Sequence, residues 1–537
     1  MTEHPGQSTS IWMSSATPGF GRLGGDVSAD VCIVGAGVAG LTTALLLAYE
    51  GRSVVVLNDG PIGGGQTCRT TAHLSTAIDA RYHEIERLHG RDGARLVADS
   101  HGAAIDCIER IVERESIDCG FERVDGYLFA NAGRDVDELD YELDAVRRAG
   151  LTAVDRLERA PFEQLHVGPC LRFPRQAQFH PMQYLAAVAT ALQSFGGRIF
   201  CGSRAREISG GRPARVHTEN GDVLATDSVV VATNTPINDR VAIHTKQAAY
   251  RTYAISMKVE PGSAPHALFW DTADPYHYVR LYTGADGEGR ESLRDTLIIG
   301  GEDHKTGQSD DAADRYLRLE DWARGRFPVV GRPIDSWSGQ VLETIDGIAF
   351  IGHNPLDSEN VYVATGDCGM GMTHGTIAGL LLTDLIMQRE NEWARLYDPS
   401  RKSLKAVVRY AAENTNTAWQ YTDWLTPGAT TRVGELRPGC GAILRRGLSK
   451  VAVYRDEESN VHVLSAVCPH LGGVVHWNSA EHTWDCPCHG SRFDALGRVI
   501  EGPANSDLQP AETEPEAEIE APGAGPSAHQ PHHGSPR

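Results

Sequence analysis

Four residues near the C-terminal end of the chain have the side chains and the spacing of a metal centre. Cys468 and His470 lie in one glycine-containing loop, and Cys486 and His489 lie in a second one. Two Cys and two His ligands suit either a structural zinc ion or a [2Fe–2S] centre in which two His replace two Cys on one iron. A zinc finger needs neither the paired glycine loops nor the later Gly502-Pro-Ala504 segment, so the iron–sulfur centre is favoured.

The two loops, Cys468-Pro-His470-Leu-Gly-Gly473 and Cys486-Pro-Cys488-His489-Gly-Ser491, resemble those of Rieske domains over about residues 431–508. The resemblance implies that Cys468 and Cys486 bind one iron and that His470 and His489 bind the solvent-facing one. It also implies that the Gly502-Pro-Ala504 loop covers the cluster.

At three positions near these ligands the sequence can be compared with respiratory Rieske proteins: two positions differ and one is the same. Gly473 replaces the first Cys of an inter-loop disulfide, so Cys488 is expected to be a free thiol. Ser491 is retained as a hydrogen-bond donor to a bridging sulfide, whereas Phe493 replaces a Tyr. Fewer hydrogen bonds to sulfur stabilise the reduced cluster less, which predicts a potential in the lower part of the Rieske range.

A dinucleotide fingerprint lies near the N-terminus. Gly35-Ala-Gly37-Val-Ala-Gly40 follows a strand-type run, residues 30–34, and opens an Ala/Leu-rich helix pattern; a second β-branched run follows at residues 53–57. In such a β-α-β unit the glycines allow a tight turn, close approach to a pyrophosphate and helix–strand packing. Asn58 stands where a Glu usually binds the ribose, and Asp59 follows, so either residue is a candidate for that contact.

Two further loops are candidates for flavin contacts. Residues 63–71 after the second strand include Thr67, Arg69 and Thr70 and could wrap the pyrophosphate and the isoalloxazine ring. The segment 365–373 runs from a strand into a helix whose N-terminus would stabilise negative charge on the reduced ring. Its candidate cofactor-binding residues are Gly366, Asp367, Gly371, Met372 and Thr373.

About residues 30–390 resemble FAD-dependent oxidoreductases of the D-amino-acid oxidase, glycine oxidase and sarcosine oxidase group. The resemblance implies FAD as cofactor and oxidation of an amine or amino acid by hydride transfer. Relatives with covalent flavin attach it through His or Cys; here the early loop has Arg69, with His73 further on, so FAD is expected to bind non-covalently.

Catalytic residues carry the weakest signal. His304 could face the flavin at a strand end, and Arg251 could pair with a substrate carboxylate, although a structural His and a surface ion pair are the competing interpretations. His180 is expected to cap a helix starting at Pro181 or to pack. Trp270, Tyr276 and Tyr278 could form a cage for an ammonium group, although such residues on a sheet more often pack in the core.

Strand-type runs at residues 228–232 and 360–364, far from the first two, indicate a nucleotide domain interrupted by a second domain. The predicted fold is therefore an α/β FAD-binding Rossmann-like domain with an interleaved α+β substrate domain, followed by a small all-β Rieske domain. The predicted segments are an N-terminal extension (1–29), the oxidoreductase (30–392), a connector (393–430), the Rieske domain (431–508) and a disordered tail (509–537).

Composition limits the partners. The chain has 537 residues and a formal net charge of −21, a charge that repels nucleic acid. No apolar run is long enough to span a membrane, and no export signal is visible, which predicts a cytoplasmic protein. The expected partners are a small-molecule substrate and an external electron acceptor, which could be a protein.

Three functions remain open at this point. The favoured one is a dehydrogenase that sends electrons from FAD through the Rieske cluster to an external acceptor. The second is an oxidase that uses O2, with an auxiliary cluster. The third is an electron-transfer or redox-sensing protein that docks a protein partner at the His470 and His489 face.

Overall fold

A computed structural model describes residues 8–130, 136–160, 168–238, 243–284, 295–402, 404–426, 433–447 and 449–511. The predicted tail therefore lies almost wholly outside the described residues.

The N-terminal body combines strands and helices. Its strands are β1 Val27–Val34, β2 Val54–Leu57, β3 His73–Leu74, β4 Glu122–Phe129, β5 Asp155–Leu157, β6 Cys170–Gln178, β7 Arg198–Phe200, β8 Ala205–Ser209, β9 Ala214–Thr218, β10 Val223–Val231, β11 Gln247–Val259, β12 Ala267–Asp271, β13 His277–Tyr282, β14 Asp295–Lys305, β15 Val329–Thr344, β16 Phe350–His353 and β17 Val361–Thr365. Its helices are α1 Val38–Tyr49, α2 Tyr82–Arg114, α3 Val136–Arg148, α4 Pro181–Ser194, α5 Ala312–Arg324 and α6 Gly371–Ile386.

The first sheet has the order β16-β17-β10-β1-β2-β7, with β8 and β9 attached beside β10. Strands β1, β2, β7, β10 and β17 pair in parallel. Alternate side chains of β1 enter different cores: Val31 and Ile33 pack on the side of α1, α4 and α6, and Cys32 and Val34 pack on the opposite side. The sheet is buried on both faces, as expected for parallel strands with near-continuous apolar sequences.

The second sheet has the order β15-β11-β14-β13-β12-β4-β6-β3, with β5 beside β6. It is mostly antiparallel, but β12 pairs with β4 in parallel. Helix α5 packs on one face of it. Because its strands come from between those of the first sheet, the predicted interleaving of two domains is confirmed.

The helices begin and end close to the predicted residues. Helix α4 starts at Pro181, and His180 caps it: the imidazole Nδ1 accepts a hydrogen bond from Gln183 N. Helix α6 starts at Gly371, within the segment 365–373 that is predicted to lead from a strand into a helix. No helix in the described ranges combines the length and the apolar character needed to cross a membrane.

The C-terminal domain is all β. Strands β18 Gly441–Arg446, β19 Ser449–Arg455 and β20 Val461–Ser465 form one antiparallel sheet. Strands β21 His476–Asn478, β22 Thr483–Asp485, β23 Arg492–Asp494 and β24 Val499–Glu501 form a second one. The first candidate ligand loop joins β20 to β21, and the second joins β22 to β23.

Two helices connect the bodies: α7 Ala394–Tyr397 and α8 Val407–Gln420. The segment after α8 holds the first candidate ligand loop, since Tyr421 OH donates to Leu471 O and Trp424 Nε1 donates to Gly472 O. The connector therefore contacts the C-terminal domain at the ligand loop itself.

Candidate functional site

The glycines of the fingerprint occupy positions that exclude a larger side chain. Gly35 has φ +111°, and a Cβ there would overlap the carbonyl of Ala232. A Cβ on Gly40 would overlap the Gly35 carbonyl, and one on Gly37 would lie 3.2 Å from Thr67 Oγ1. These close approaches bring the β1–α1 turn and the N-terminus of α1 to the edge of a cavity, where backbone N–H groups favour an anion.

That cavity has a volume of about 1160 Å³ and extends from the fingerprint to the second sheet. Predicted cofactor-binding residues that line it are Gly35, Gly37, Asn58, Asp59, Thr67, Arg69, Thr70, Asp367, Gly371 and Met372. Gly40, Gly366 and Thr373 do not line it. Gly40 acts through helix–strand packing, and the Thr373 hydroxyl donates to Met370 O within α6.

The two ribose candidates differ in their surroundings. Asn58 is engaged by backbone groups: its Oδ1 accepts from Ala36 N at 2.9 Å and its Nδ2 donates to Gly60 O and Pro61 O. Asp59 lies 3.4 Å from the Arg204 guanidinium, with its carboxylate half exposed. Asn58 therefore braces the turn, and Asp59 keeps oxygen atoms available.

The far end of the cavity is lined by aromatic rings and the carboxylate of Asp79. Trp270, Tyr276 and Tyr278 all line it, and the two tyrosine rings are 5.6 Å apart. The Tyr276 hydroxyl donates to Asp79 Oδ2 at 3.2 Å. Burial raises the pKa of the Asp79 carboxyl to about 6. Asp79 is not among the residues predicted from the sequence, because it lies in a loop before α2 with no motif around it.

His73 also lines this end and is neutral at physiological pH. Its Nδ1 is 3.0 Å from Thr71 Oγ1, and its Nε2 is 3.2 Å from Val279 O. Burial, with the nearby Arg280 charge, lowers the pKa of His73 to about 3. The imidazole therefore contributes a hydrogen-bonding ring to the cavity without a charge.

Neither catalytic candidate of the sequence analysis lines the cavity. His304 stacks on Tyr253 and accepts a hydrogen bond from its hydroxyl at 2.9 Å, while Nδ1 donates to Lys305 O. Arg251 is fully buried, hydrogen-bonded to Ser338 and 3.6 Å from Glu481 of the C-terminal domain. Its ion pair is therefore buried between the two bodies, and it is not on the surface.

The four candidate metal ligands come together as two pairs. The Cys468 and Cys486 thiols are hydrogen-bond neighbours, and the His470 and His489 rings are 5.0 Å apart. Within the described part of the chain, no three His, Cys, Asp or Glu side chains converge on one metal position. This two-plus-two arrangement suits two irons better than a single zinc ion.

The two ligand loops are built alike. Cys468 N donates to Gly473 O and Gly472 N to Cys468 O; Cys486 N donates to Ser491 O and Gly490 N to Cys486 O. Each loop is thereby closed around its ligands by backbone hydrogen bonds. Cys488 is free, and a Cβ on Gly473 would lie 2.5 Å from its Sγ.

The His pair faces the N-terminal body. The buried His244 ring is 5.0 Å from the His470 ring and 6.2 Å from the His489 ring. Next to it, Gln340 lines the cavity and donates from Nε2 to Gly490 O at 3.1 Å. A single side chain thus joins the cavity to the loop that carries His489.

Comparisons with known proteins agree with this architecture. The family model described as FAD dependent oxidoreductase (DAO) matches residues 30–385, and the one described as Rieske [2Fe-2S] domain matches residues 429–512. YhfW of Bacillus subtilis (strain 168), which is named as a Rieske 2Fe-2S iron-sulfur protein, is 32% identical over 504 residues, 93% of this chain and 96% of that protein.

Two other similar proteins match the oxidoreductase part. Gamma-glutamylputrescine oxidoreductase of Escherichia coli (strain K12) is 26% identical over 397 residues, 72% of this chain and 90% of that protein. The crystal structure of glycine oxidase from Geobacillus kaustophilus superimposes with a TM-score of 0.58 and 21% identity, covering 70% of this chain and 99% of that one. The chain therefore belongs to the DAO family of FAD-dependent oxidoreductases and carries a C-terminal Rieske [2Fe–2S] domain.

Proposed function

We propose that this enzyme oxidises a small amine and passes the electrons through its Rieske cluster to an external acceptor. The observation that carries the proposal is one cavity that reaches from the dinucleotide fingerprint to Asp79 and its aromatic neighbours and contacts the cluster loop through Gln340. When bound, FAD would supply hydride acceptance and the [2Fe–2S] cluster would supply one-electron transfer.

The residues of the cavity fit FAD. Gly35 and Gly37 admit the pyrophosphate at the N-terminus of α1, and Asp59 offers oxygen atoms to the ribose. The N-terminus of α6, at Gly371, places partial positive charge at the cavity edge. Cys468, His470, Cys486 and His489 fit the cluster: the Cys pair would hold one iron and the His pair would hold the other.

The far end of the cavity suits a cationic substrate. Asp79 supplies a carboxylate, and Trp270, Tyr276 and Tyr278 supply ring faces that attract an ammonium group. Arg81, whose charge acts on Asp79, does not line the cavity, and the guanidinium of Arg69, which does, is hydrogen-bonded to Ser8 and Ser338. This favours an amine over a free amino acid, in line with the relative named for γ-glutamylputrescine.

The position of the cluster supports internal electron transfer. The His470 and His489 rings face His244, and Gln340 links the cavity to Gly490, beside His489. A partner protein could not reach the whole His face without displacing this part of the N-terminal body. The arrangement therefore favours the dehydrogenase over a free-standing electron carrier.

We also propose a cytoplasmic location. None of the eleven cysteines, all of them in the described ranges, forms a disulfide, and nine of them are buried, which suits a reducing compartment.

The test is an anaerobic titration of the iron-reconstituted protein with diamines, monoamines and amino acids, following flavin absorbance and the EPR signal of the cluster. We expect an amine to bleach the flavin and the reduced-cluster signal to grow in afterwards. Asp79→Asn should raise the amine concentration needed by about tenfold or more, because it removes the carboxylate. The matched control is Asp321→Asn, an exposed carboxylate on α5.

Two outcomes would contradict the proposal. Bleached flavin with a cluster that stays oxidised, and peroxide formed in air at turnover rates, would favour an oxidase. Reduction by a protein donor but by none of the amines would favour the redox-sensing alternative.

A further inference from the structure

The wall of the cavity that faces the fingerprint belongs to the Rieske domain. Eleven residues from the β23–β24 hairpin and the loop after it line the cavity. Six of them form what we call the Rieske wall: Asp494, Leu496, Arg498, Ile500, Ala504 and Asn505. Their neighbours on the N-terminal body are Asp59, Gly202 and Arg204, which line the same end. The cavity is therefore enclosed by two domains at its dinucleotide end.

Side-chain and backbone hydrogen bonds hold this wall in place. Arg204 Nη2 donates to Val499 O at 2.9 Å, and Asn505 Nδ2 donates to Arg206 O at 2.8 Å. Gln66 of the flavin loop donates from Nε2 to Glu501 Oε1 at 2.7 Å. These bonds join Arg204, Arg206 and Gln66 of the N-terminal body to the β24 region. Because Arg204 and Gln66 line the cavity, docking of the domain and the shape of the cavity are coupled.

A buried charge cluster at the same interface adds to this coupling. Glu481 of the Rieske domain is 2% exposed and lies within 4.0 Å of Arg69, Arg251 and Arg492. Arg69 lines the cavity in the flavin loop. A carboxylate buried among arginines must stay paired, because an unpaired buried charge is strongly destabilising. The undocked domain would leave Arg69 and Arg251 without this partner.

Arg498 has the chemistry of an anion contact in the wall. Its side chain is exposed and lines the cavity. Among the described residues no carboxylate lies within 4.0 Å of it, although its charge acts on the nearby Asp494 carboxyl. A guanidinium in this setting suits phosphate oxygens, which it can bind with two parallel hydrogen bonds. Leu496, 46% exposed and also lining the cavity, offers an apolar surface beside it.

We infer that the Rieske domain is part of the FAD-binding site: the Rieske wall closes the dinucleotide end of the cavity, with Arg498 contacting the phosphate or ribose region. The inference rests on the proposed placement of FAD in this cavity and is independent of the substrate. Because FAD would then bind the docked arrangement better than the undocked one, FAD binding and domain docking strengthen each other.

The first test measures FAD affinity of full-length variants by flavin fluorescence, with the cluster spectrum as a check on folding. Arg498→Ala should weaken FAD binding about tenfold, and Leu496→Ala about threefold. Matched controls on the other sheet of the Rieske domain are Arg445→Ala, whose side chain donates to Gly447 O within its own hairpin, and Val461→Ala, which is 38% exposed. Both controls should bind FAD as the unaltered protein does.

A second test uses the unaltered chain. Hydrogen exchange over residues 494–507 should slow when FAD is added to FAD-depleted protein, whereas exchange in β20 should not change. Gly37→Val distinguishes a failure of this inference from a failure of the FAD placement, because the added side chain blocks the fingerprint itself. If Gly37→Val loses FAD while Arg498→Ala, Leu496→Ala and the exchange of 494–507 are unaffected, the inference fails and the FAD site stands. If Gly37→Val retains FAD, the placement of FAD in this cavity fails.

Discussion

Two buried side chains beside the second ligand loop, Ser491 and Phe493, would govern the hydrogen bonds that the cluster sulfurs receive. Ser491 is fully buried, contacts the Cys468 thiol, and accepts a hydrogen bond from Ala504 N at 3.0 Å. The Ser491 hydroxyl thus links the Gly502-Pro-Ala504 loop to the second ligand loop. Phe493 is also fully buried and brings no hydroxyl.

These two residues predict opposite shifts of the reduction potential. Ser491→Ala removes a hydrogen bond to sulfur and should lower the potential by about 60 mV, the equivalent of a tenfold change for one electron. Phe493→Tyr adds a hydroxyl and should raise it. Redox titration followed by EPR measures both, with the exposed Ser449→Ala as control. Equal potentials in Ser491→Ala and the unaltered protein would show that the hydroxyl does not bond to the cluster sulfurs.

The Asp79 carboxylate predicts the acid limb of the pH profile. Because burial raises the pKa of Asp79 to about 6, the group is ionised above this pH and neutral below it. We expect kcat/KM for an amine to fall about tenfold per pH unit below pH 6, since only the carboxylate pairs with the ammonium group. Asp79→Asn should have low kcat/KM without this limb. A limb that persists in Asp79→Asn would assign the titration to another group.

At the scale of elements, the two ligand loops are held by their own backbone and by the connector, without a disulfide. Gly473 and Cys488 face each other across the loops. In the respiratory proteins that this domain resembles, a disulfide joins these positions. The close contact leaves room for a second sulfur only if the loops shift by a small amount.

We expect Gly473→Cys to form a disulfide with Cys488. A bridge that closes about 15 residues should raise the free energy of unfolding of this domain by about 3 kcal/mol, because it restricts the unfolded chain. Thermal loss of the cluster absorbance, with and without reductant, measures the gain. Cys488→Ser in the same background should abolish it. Two titratable thiols at these positions in the oxidised variant would exclude the bridge.

At the scale of the whole molecule, acidic groups gather between the second sheet and the cavity. Burial raises the pKa of Asp303 to about 7 and that of Asp367 to about 6. Burial likewise raises the pKa of the Glu343 carboxyl to about 8. Neighbouring carboxylates add to each of these shifts, so the folded protein binds protons more tightly here than the unfolded chain does.

These three groups predict a contribution to stability that falls as pH rises. Asp303 has a pKa of 3.8 when unperturbed and about 7 in the fold, so its contribution is fully present below pH 4 and is lost between pH 4 and 7. Asp303→Asn should therefore be more stable than the unaltered protein at pH 8, by about 2 kcal/mol, and differ little at pH 4. Urea unfolding at both pH values measures this, with the exposed Asp321→Asn as control. An equal effect of Asp303→Asn at the two pH values would contradict it.

The sequence by itself determined the chemistry that depends on short spacing. Cys468, His470, Cys486 and His489 sit in loops closed by local hydrogen bonds, and Gly35, Gly37 and Gly40 sit in one turn, so residues a few positions apart define each motif. The spacing of apolar residues along the sequence likewise predicted β1, α1, α4 and α6. Family, fold and cofactors follow from these local patterns.

Only the tertiary structure decided what lies opposite these motifs. Asp79 meets Tyr276 across 197 positions of the chain, and Arg251 meets Glu481 of another domain. Such contacts depend on strand order and on domain docking, which the local spacing of residues in the sequence does not encode. For the same reason, Arg251 and His304 were catalytic candidates in the sequence but lie away from the cavity. Nothing in the sequence placed the Rieske wall at the dinucleotide end of that cavity.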